Sequence, residues 1–439
     1  MTDKIRKILD SYEKDYDNIS VYLDSSVSRN VQLDGAELET SGYKNARKLI
    51  IRASKDGRMI TAGFGGVGEE ALDAFLKDGV KTIGSLPADE NRYIPAYSEA
   101  EGSLDIYDEA FENATVPELI KIAEAVTASA MESDSRVKAV KQSGVSASRN
   151  ESIMISTAGP VIKRLKTNFT AGAYLIASDG EDDRDGYDST SETHLADLGY
   201  TAVGVNAARN ACSLLGAKHI DTGKYEVLFS ADVMAEFMDL VLELVDAESV
   251  YKGVSMLKGR LGDKCASDAF CVYDDPCVLK GRSSRLTDDE GQRCERVDIF
   301  SDGVLRNYLQ NSYTAKALGM KNNARGFIGG GGNLSVGTTN VFLKPTTDKK
   351  PENVCPNCLK ITEVMGMHTA DPVSGDFSVG VSGIVFIDGE GAYPFKEAVL
   401  SGNLADLLSG AVHIFDNSRT FGNITTSDTL FDKMTVSGV

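Results

Sequence analysis

An α+β fold is predicted: an N-terminal α/β domain of helices and antiparallel strands over residues 1–221, then a mostly antiparallel β domain over residues 222–439. Three observations carry this. A chain of 439 residues exceeds what one hydrophobic core usually serves, so two domains are expected. Up to about residue 221, helical periodicity alternates with strand-like alternation. From residue 222 the pattern restarts, and short apolar runs separated by Asp-Gly pairs and scattered glycines dominate the rest, the mark of strands joined by turns.

Residues 3–16 have the spacing of an amphipathic helix, and alternating Ile19, Val21 and Leu23 open a strand. Segments 48–53 and 58–62 flank Asp56-Gly57, a pair suited to the positive φ angles of a tight hairpin turn. Residues 69–76 read as a helix, whereas 85–113 show little periodicity and are expected to wander over the surface. Thr115-Val116-Pro117-Glu118 has the form of a capping box, in which the hydroxyl and the carboxylate each take a free backbone N–H. Behind it Leu119, Ile122, Ala123, Val126 and Ala130 line one helix face. Strands are expected around 136–156 and 161–178, then an acidic loop and a helix from about 192 to 215. Past the boundary, 225–229 is strand-like, and Ala231–Val245 is a helix turning Val233, Phe237, Leu240 and Leu244 inward. Asp302-Gly303 and Asp388-Gly389 mark further turns in the β half.

The net charge of −19, with no long Lys/Arg run, repels phosphate backbones and argues against a nucleic-acid partner. No apolar run approaches the roughly 20 residues that cross a bilayer, so no membrane partner is expected. The opening MTDKIRKILDSYEKDYD is charged and amphipathic, unlike a secretory signal. Seven cysteines are too few for a disulfide scaffold in so large a chain. A cytoplasmic protein with reduced thiols is expected.

Four motifs invite a chemical reading. Gly63-Phe64-Gly65-Gly66-Val67-Gly68 fits the glycine fingerprint of dinucleotide-binding folds. The strands before it form an antiparallel hairpin, however, and no parallel strand ending in an acid follows about 20 residues on, so a strand-to-helix joint is expected. Glu181, Asp183, Asp185, Gly186 and Glu192 nearly reproduce calcium-loop spacing, but Glu replaces the first Asp and a strand leads in; a solvated acidic loop is expected. Cys355-Pro356-Asn357-Cys358 is half a zinc site or a redox pair; with no second such pair, two thiols in a turn are expected. Gly329, Gly330, Gly331 and Gly332 lack the Lys-Ser/Thr of a phosphate loop and suggest a mobile loop or a place where another backbone passes close by.

Histidine decides the hydrolase question. A helical zinc protease needs two imidazoles one turn apart and a Glu to activate water. The histidines are His194, His219, His368 and His413, the nearest two 25 positions apart, so neither HExxH nor HExxxH can be built. Nor is there a GxSxG elbow.

From residue 222 onward the wording is familiar. Asp289-Glu290-Gly291, Asp302-Gly303-Val304-Leu305, Ser312-Tyr313-Thr314-Ala315 and Leu318-Gly319 come in order, followed by Thr362-Glu363-Val364-Met365-Gly366, Ser374-Gly375-Asp376-Phe377-Ser378, Gly389-Glu390, Tyr393-Pro394, Ser401-Gly402-Asn403-Leu404 and Met434-Thr435-Val436-Ser437-Gly438. This series resembles the TldD/PmbA family, and most of all its PmbA (TldE) branch, described as a modulator of DNA gyrase. The likeness runs from about residue 18 and is most specific over 285–439. It implies a two-domain α+β fold and cytosolic proteolysis of unfolded peptides, including maturation of a peptide antibiotic. In the TldD branch a helix carries HExxxH; the matching helix is Ala231–Val245, where Glu236 survives with no flanking histidine. The TldD metal ligands therefore map to nothing in this chain. The resemblance implies no cofactor here, with zinc held in the partner subunit. The chain departs from common PmbA wording in its cysteine-bearing stretches, 265–294 and 355–358, and in His368.

The first expectation is thus a non-catalytic subunit of a metallopeptidase, paired with a TldD-type catalytic subunit, or with itself as a dimer. It would form half of a channel and hold an extended peptide substrate by β-strand addition. Candidate contacts are Arg325 with Gly329, Gly330, Gly331 and Gly332, and the segment 367–378 with His368, Asp376 and Ser378. No catalytic and no metal-binding residue is assigned. The alternatives are a stand-alone metallopeptidase with an atypical zinc site drawn from Cys355, Cys358 and His368, and a non-enzymatic homodimeric binding protein.

Overall fold

The computed structural model describes residues 2–66 and 68–438, so Val67 of the glycine fingerprint lies outside the described residues. The N-terminal half is built on one antiparallel sheet. α1 (Thr2–Ser11) leads into β1 (Asn18–Asp34), β2 (Glu37–Lys55) and β3 (Arg58–Gly65). After α2 (Glu69–Thr82), α3 (Ala110–Asn113) and α4 (Val116–Ser133) come β4 (Val137–Ser156), β5 (Ile162–Ser178), β6 (Asp183–Glu192) and finally α5 (Tyr200–Ser213). The strand order is β3-β2-β1-β4-β5-β6. Alternate residues of a strand share a face. On β1, Ile19, Val21 and Leu23 pack under α1 and α2, while Val31 and Leu33 pack under α4 and α5. The opposite face, with Arg52 and Ser54 of β2, turns toward the second half of the chain.

The Asp56-Gly57 hairpin forms as expected, both residues having positive φ, and so do the Asp302-Gly303 and Asp388-Gly389 turns. Several other expectations need correction. Segment 48–53 is only the inner part of β2, whose outer half is polar and exposed and so carries no apolar period. α1 stops at Ser11 rather than 16, because the chain turns to sink Tyr16, whose hydroxyl donates to the Leu76 carbonyl (2.7 Å). Thr115 precedes α4 in extended conformation, but its side chain makes no cap, and Glu118 instead pairs with Lys121 (2.8 Å). The acidic stretch is the edge strand β6 rather than a loop, and α5 begins at Tyr200 rather than near 192. Residues 85–113 are largely irregular, yet they do not wander over the surface. Ile94, Tyr97, Leu104, Ile106 and Phe111 are buried.

The C-terminal half opens with β7 (Gly223–Phe229), α6 (Ala231–Val245), α7 (Ala247–Lys252), β8 (Val272–Asp275), β9 (Val297–Ser301) and β10 (Val304–Leu305). It continues through α8 (Ser312–Leu318), β11 (Gly326–Ile328), β12 (Leu334–Val336), β13 (Asn340–Leu343), α9 (Pro351–Val354), β14 (Cys358–Met365), β15 (Asp376–Ile387) and β16 (Glu390–Asn403). It ends with α10 (Leu404–Ser409), β17 (Ala411–Ile414), β18 (Arg419–Phe421), β19 (Ile424–Thr426) and β20 (Thr429–Ser437). One sheet runs β10-β9-β8-β13-β19-β18 and another β16-β15-β14-β7-β20-β17. Val399 and Leu400 of β16 also pair with Ser437 and Val436 of β20, which closes β7, β14, β15, β16 and β20 into a ring. A closed ring leaves fewer free strand edges. α6 packs on it, with Phe237 stacked on Phe229 (4.9 Å between centroids) and meeting Phe377 edge-on (5.3 Å).

The irregular segment 85–113 straps the halves together. The Ser98 amide donates to the Gly291 carbonyl and the Lys280 amide to the Leu104 carbonyl (both 2.8 Å). The two glycine-rich motifs explain each other at this seam. A Cβ on Gly63 of β3 would overlap the carbonyl oxygen of Gly330, in the turn of the β11–β12 hairpin. Gly63 is therefore a point of close backbone approach, not a phosphate cradle. No helix among the described residues is long and apolar enough to cross a membrane.

Candidate functional site

α6 is the helix on which the resemblance places the zinc motif. Its N-terminus is fixed by the buried Asp428, which accepts from the Ala231 amide (3.0 Å) and from the Lys360 ammonium (2.7 Å). Asp232, Glu236 and Asp239 lie along its outer side. Partial desolvation, with Asp232 and Asp239 adding repulsion, pushes the Glu236 carboxyl up to about 7. Partial desolvation likewise raises Glu363 on the adjacent β14, helped by Asp185. Zinc favours imidazole and thiolate ligands in tetrahedral array. This face offers carboxylates alone, and no three His, Cys, Asp or Glu side chains converge among the described residues in a way that could hold a metal. The face does not fit a zinc ion.

The residues singled out from sequence separate into three places. Arg325 is not a surface contact: it is fully buried, ion-paired through Nε to Asp274 (2.8 Å), and donates to the carbonyls of Asn323 (2.8 Å) and Glu295 (2.9 Å). Its guanidinium is consumed inside the domain. Gly329–Gly332 form the β11–β12 turn against β2 and β3, with Gly332 beside Ile50 and Thr61. His368 lies in the exposed turn between β14 and β15, and Asp376 and Ser378 begin β15. There Asn403 donates to Asp376 (2.9 Å), and the Ser378 and Ser401 hydroxyls bond (2.9 Å).

Two of the weaker motifs resolve structurally. Glu192 and Asp183 stand at opposite ends of β6, about 30 Å apart for a strand of this length, so the calcium-like spacing cannot converge on one ion. Gly186 is needed because a Cβ would meet the α5 backbone at Ala207 and Ala211. Cys355 and Cys358 are buried with Leu228, Phe415 and Leu430. The Cys355 thiol donates to Glu226 (3.4 Å), and its hydrogen bond to Cys358, together with burial, pushes its pKa up. Cys358 opens β14 and His368 lies beyond its far end, about 25 Å of strand away. These three residues cannot share a zinc ion.

A cleft that sequence reading did not foresee lies at the seam between the halves. It has a volume of about 500 Å3 and is walled by Met59 and Thr61 of β3, Tyr251 of α7, Tyr313 of α8, and Gly332 and Leu334 of the β11–β12 hairpin. Arg52 lies at its base. Beneath it sits a buried acidic cluster, Asp288, Asp289 and Glu290. Glu290 accepts from the Ser312 amide (2.8 Å) and hydroxyl (2.5 Å), holding the start of α8. Asp288 accepts from the amides of Glu290, Gln292 and Gly326 (2.9–3.0 Å). Asp289 is held by Arg285 (3.2 Å) and Arg164 (3.5 Å). Burial, and then the neighbouring Glu290, push Asp288 up to about 7, and burial raises Glu290. The one sequence signal for the cleft was a charged Arg52 inside an otherwise apolar strand run, a residue type rarely buried without a task.

Residues 222–438 match the PmbA/TldA metallopeptidase C-terminal domain and residues 109–215 the central domain of the same family. The Escherichia coli metalloprotease PmbA is 26% identical over 336 residues, 76% of this chain and 72% of that protein. A Haemophilus influenzae metalloprotease PmbA homolog is 31% identical over 242 residues, 54% of this chain and 51% of that one. Among solved structures, a candidate modulator of a DNA gyrase from Thermotoga maritima superposes with TM-score 0.89 and 25% identity over 99% of both chains. TldE from Thermococcus kodakarensis gives TM-score 0.89 at 17% identity, over 99% of this chain and 100% of that one, and so shares the fold.

Proposed function

Because this chain belongs to the PmbA/TldD metallopeptidase family, we propose that it is a PmbA/TldE-like subunit that holds peptide while a TldD-type partner supplies the zinc and cuts. A cytoplasmic setting and unfolded-peptide substrates belong to the same proposal. One observation carries it: α6, where the family resemblance places the zinc motif, presents Asp232, Glu236 and Asp239, and no histidine lies on it. A carboxylate pushed up to about 7 can exchange a proton near neutrality. The helix offers no imidazole or thiolate beside that carboxylate, so it does not present the ligand set that a hydrolytic zinc ion takes. The seam cleft, with the strand β3 along one wall, offers an extended peptide both backbone partners and side-chain space.

The test is peptide hydrolysis by this chain alone and mixed with a TldD-type subunit. Cleavage is expected only in the mixture. Robust, chelator-sensitive cleavage by the isolated chain would overturn the proposal.

A further inference from the structure

We infer that the seam cleft is a carboxylate-binding subsite that takes the C-terminal end of an extended peptide, an inference that rests on the peptide-holding role proposed above. The central observation is Arg52. It is 2% exposed, lines the cleft, and has no hydrogen-bond partner for Nε or Nη1 among the described residues. Its remaining nitrogen, Nη2, reaches only the Met59 sulfur (3.5 Å). Glu290 stands 3.7 Å from Nη1, an ion pair beyond hydrogen-bonding distance, and its two oxygens accept from Ser312 instead. A buried guanidinium with unsatisfied donors is costly, and planar donor groups of this kind match carboxylate oxygens.

The surroundings select the ligand. In a chain of net charge −19, the cleft is lined by Arg52, Arg92 and Lys252 with Glu248 as its one lining acid, while Glu290 stands behind Arg52. Lys252 does pair with Glu248 (2.7 Å) and Arg92 with the nearby Asp89 (3.6 Å), but such exposed pairs hold their charges weakly. The cleft is far larger than a simple ion, and its walls carry Tyr93, Tyr251 and Tyr313, the last two edge to face at 5.9 Å. Three tyrosine rings with Met59 and Leu334, set among polar groups around a buried cation, suit a carboxylate that is followed by a side chain. Thr61 and Met59 on the edge strand β3 would flank the peptide backbone leading to it.

The experiment is isothermal titration of the full chain with three probes: an N-acetylated apolar pentapeptide with a free C-terminus, the same peptide as its C-terminal amide, and inorganic phosphate. The free acid is expected to bind at least about tenfold tighter than the amide. Arg52→Gln is expected to bring the acid down to the level of the amide. Because Arg52 is buried, a second variant, Arg92→Gln with Lys252→Gln on the exposed rim, is expected to weaken the acid about two- to fivefold and to reduce its salt dependence while leaving the amide unchanged. Equal binding of acid and amide overturns the carboxylate subsite but leaves the peptide-holding role standing. Binding of neither peptide overturns both. Phosphate binding tighter than the peptide acid assigns the site to a free oxyanion and overturns the inference.

Discussion

Arg325 and Asp274 are both fully buried and face each other at 2.8 Å, while Asp274 also accepts from the Thr339 amide. Such a pair adds modest net stability, yet removing one partner strands the other's charge in the interior. Arg325→Met is therefore expected to cost about 3–5 kcal/mol, read from denaturant unfolding midpoints. Arg325→Lys is expected to recover little, because an ammonium cannot reach Asp274 and the Asn323 and Glu295 carbonyls together. An Arg325→Met protein as stable as the parent would contradict the buried pairing. Gly63 makes a different kind of demand. Its missing Cβ leaves room for a backbone carbonyl of the opposing hairpin, which cannot rotate away as a side chain would. Gly63→Ala is expected to destabilise by about 1–3 kcal/mol through that overlap. Gly65→Ala, two residues along the same strand with open space around it, is the control and should be much milder. Equal effects from the two substitutions would place the hairpin elsewhere.

At the scale of elements, α6 carries four acids on its outer side, Asp232, Glu236, Asp239 and Glu243, and Glu236 among them predicts a pH dependence. The Glu236 pKa is raised in the folded chain to about 7, against about 4.3 when unfolded. Between those values the folded state holds more protons than the unfolded one. Its contribution to stability is therefore present below the unfolded value and lost as pH rises toward 7. Glu236→Gln keeps the neutral form at every pH. The variant should gain thermal stability relative to the parent between pH 5 and pH 8, and show little difference near pH 4. A constant offset across the range would mean that neither desolvation nor the two neighbouring acids raises this carboxyl on folding. Helices such as α6 were legible in sequence because an apolar stripe is a local signal, and the Asp-Gly turns because positive φ is demanded by two adjacent residues. β6 was not. Its Asp188 is buried only because Asn206 of α5 and Arg419 of β18 reach it (both 2.9 Å), partners that lie 18 and 231 residues away. Read locally, the stretch is acidic and looks solvated.

The same distinction governs the whole molecule, where the cleft and the seam are made by residues far apart in sequence. Arg52 of β2 meets Glu290 across the seam, Arg419 meets Asp188, and Tyr313 of α8 donates to Asp89 in the strap (2.9 Å). None of these pairings could be read from spacing; the run Gly329–Gly332 suggested either a mobile loop or a close approach, and named no partner. The strap adds buried Ile94, Tyr97, Leu104 and Ile106, and its backbone bonds to both flanks. A segment that satisfies its apolar side chains only by lying between two units cannot stay in place once either unit unfolds. Losing one unit would then expose the seam face of the other, including the buried Arg52, Asp288 and Glu290. The two halves should therefore unfold together, with calorimetric and van't Hoff enthalpies in agreement despite the two-part architecture. Gly291→Trp, which forces a bulky group into the ring of Tyr97, should loosen the strap and split that transition in two. Two separate transitions in the unaltered chain would mean that the seam is a weak docking contact, and that the cleft at its base opens and closes as the halves part.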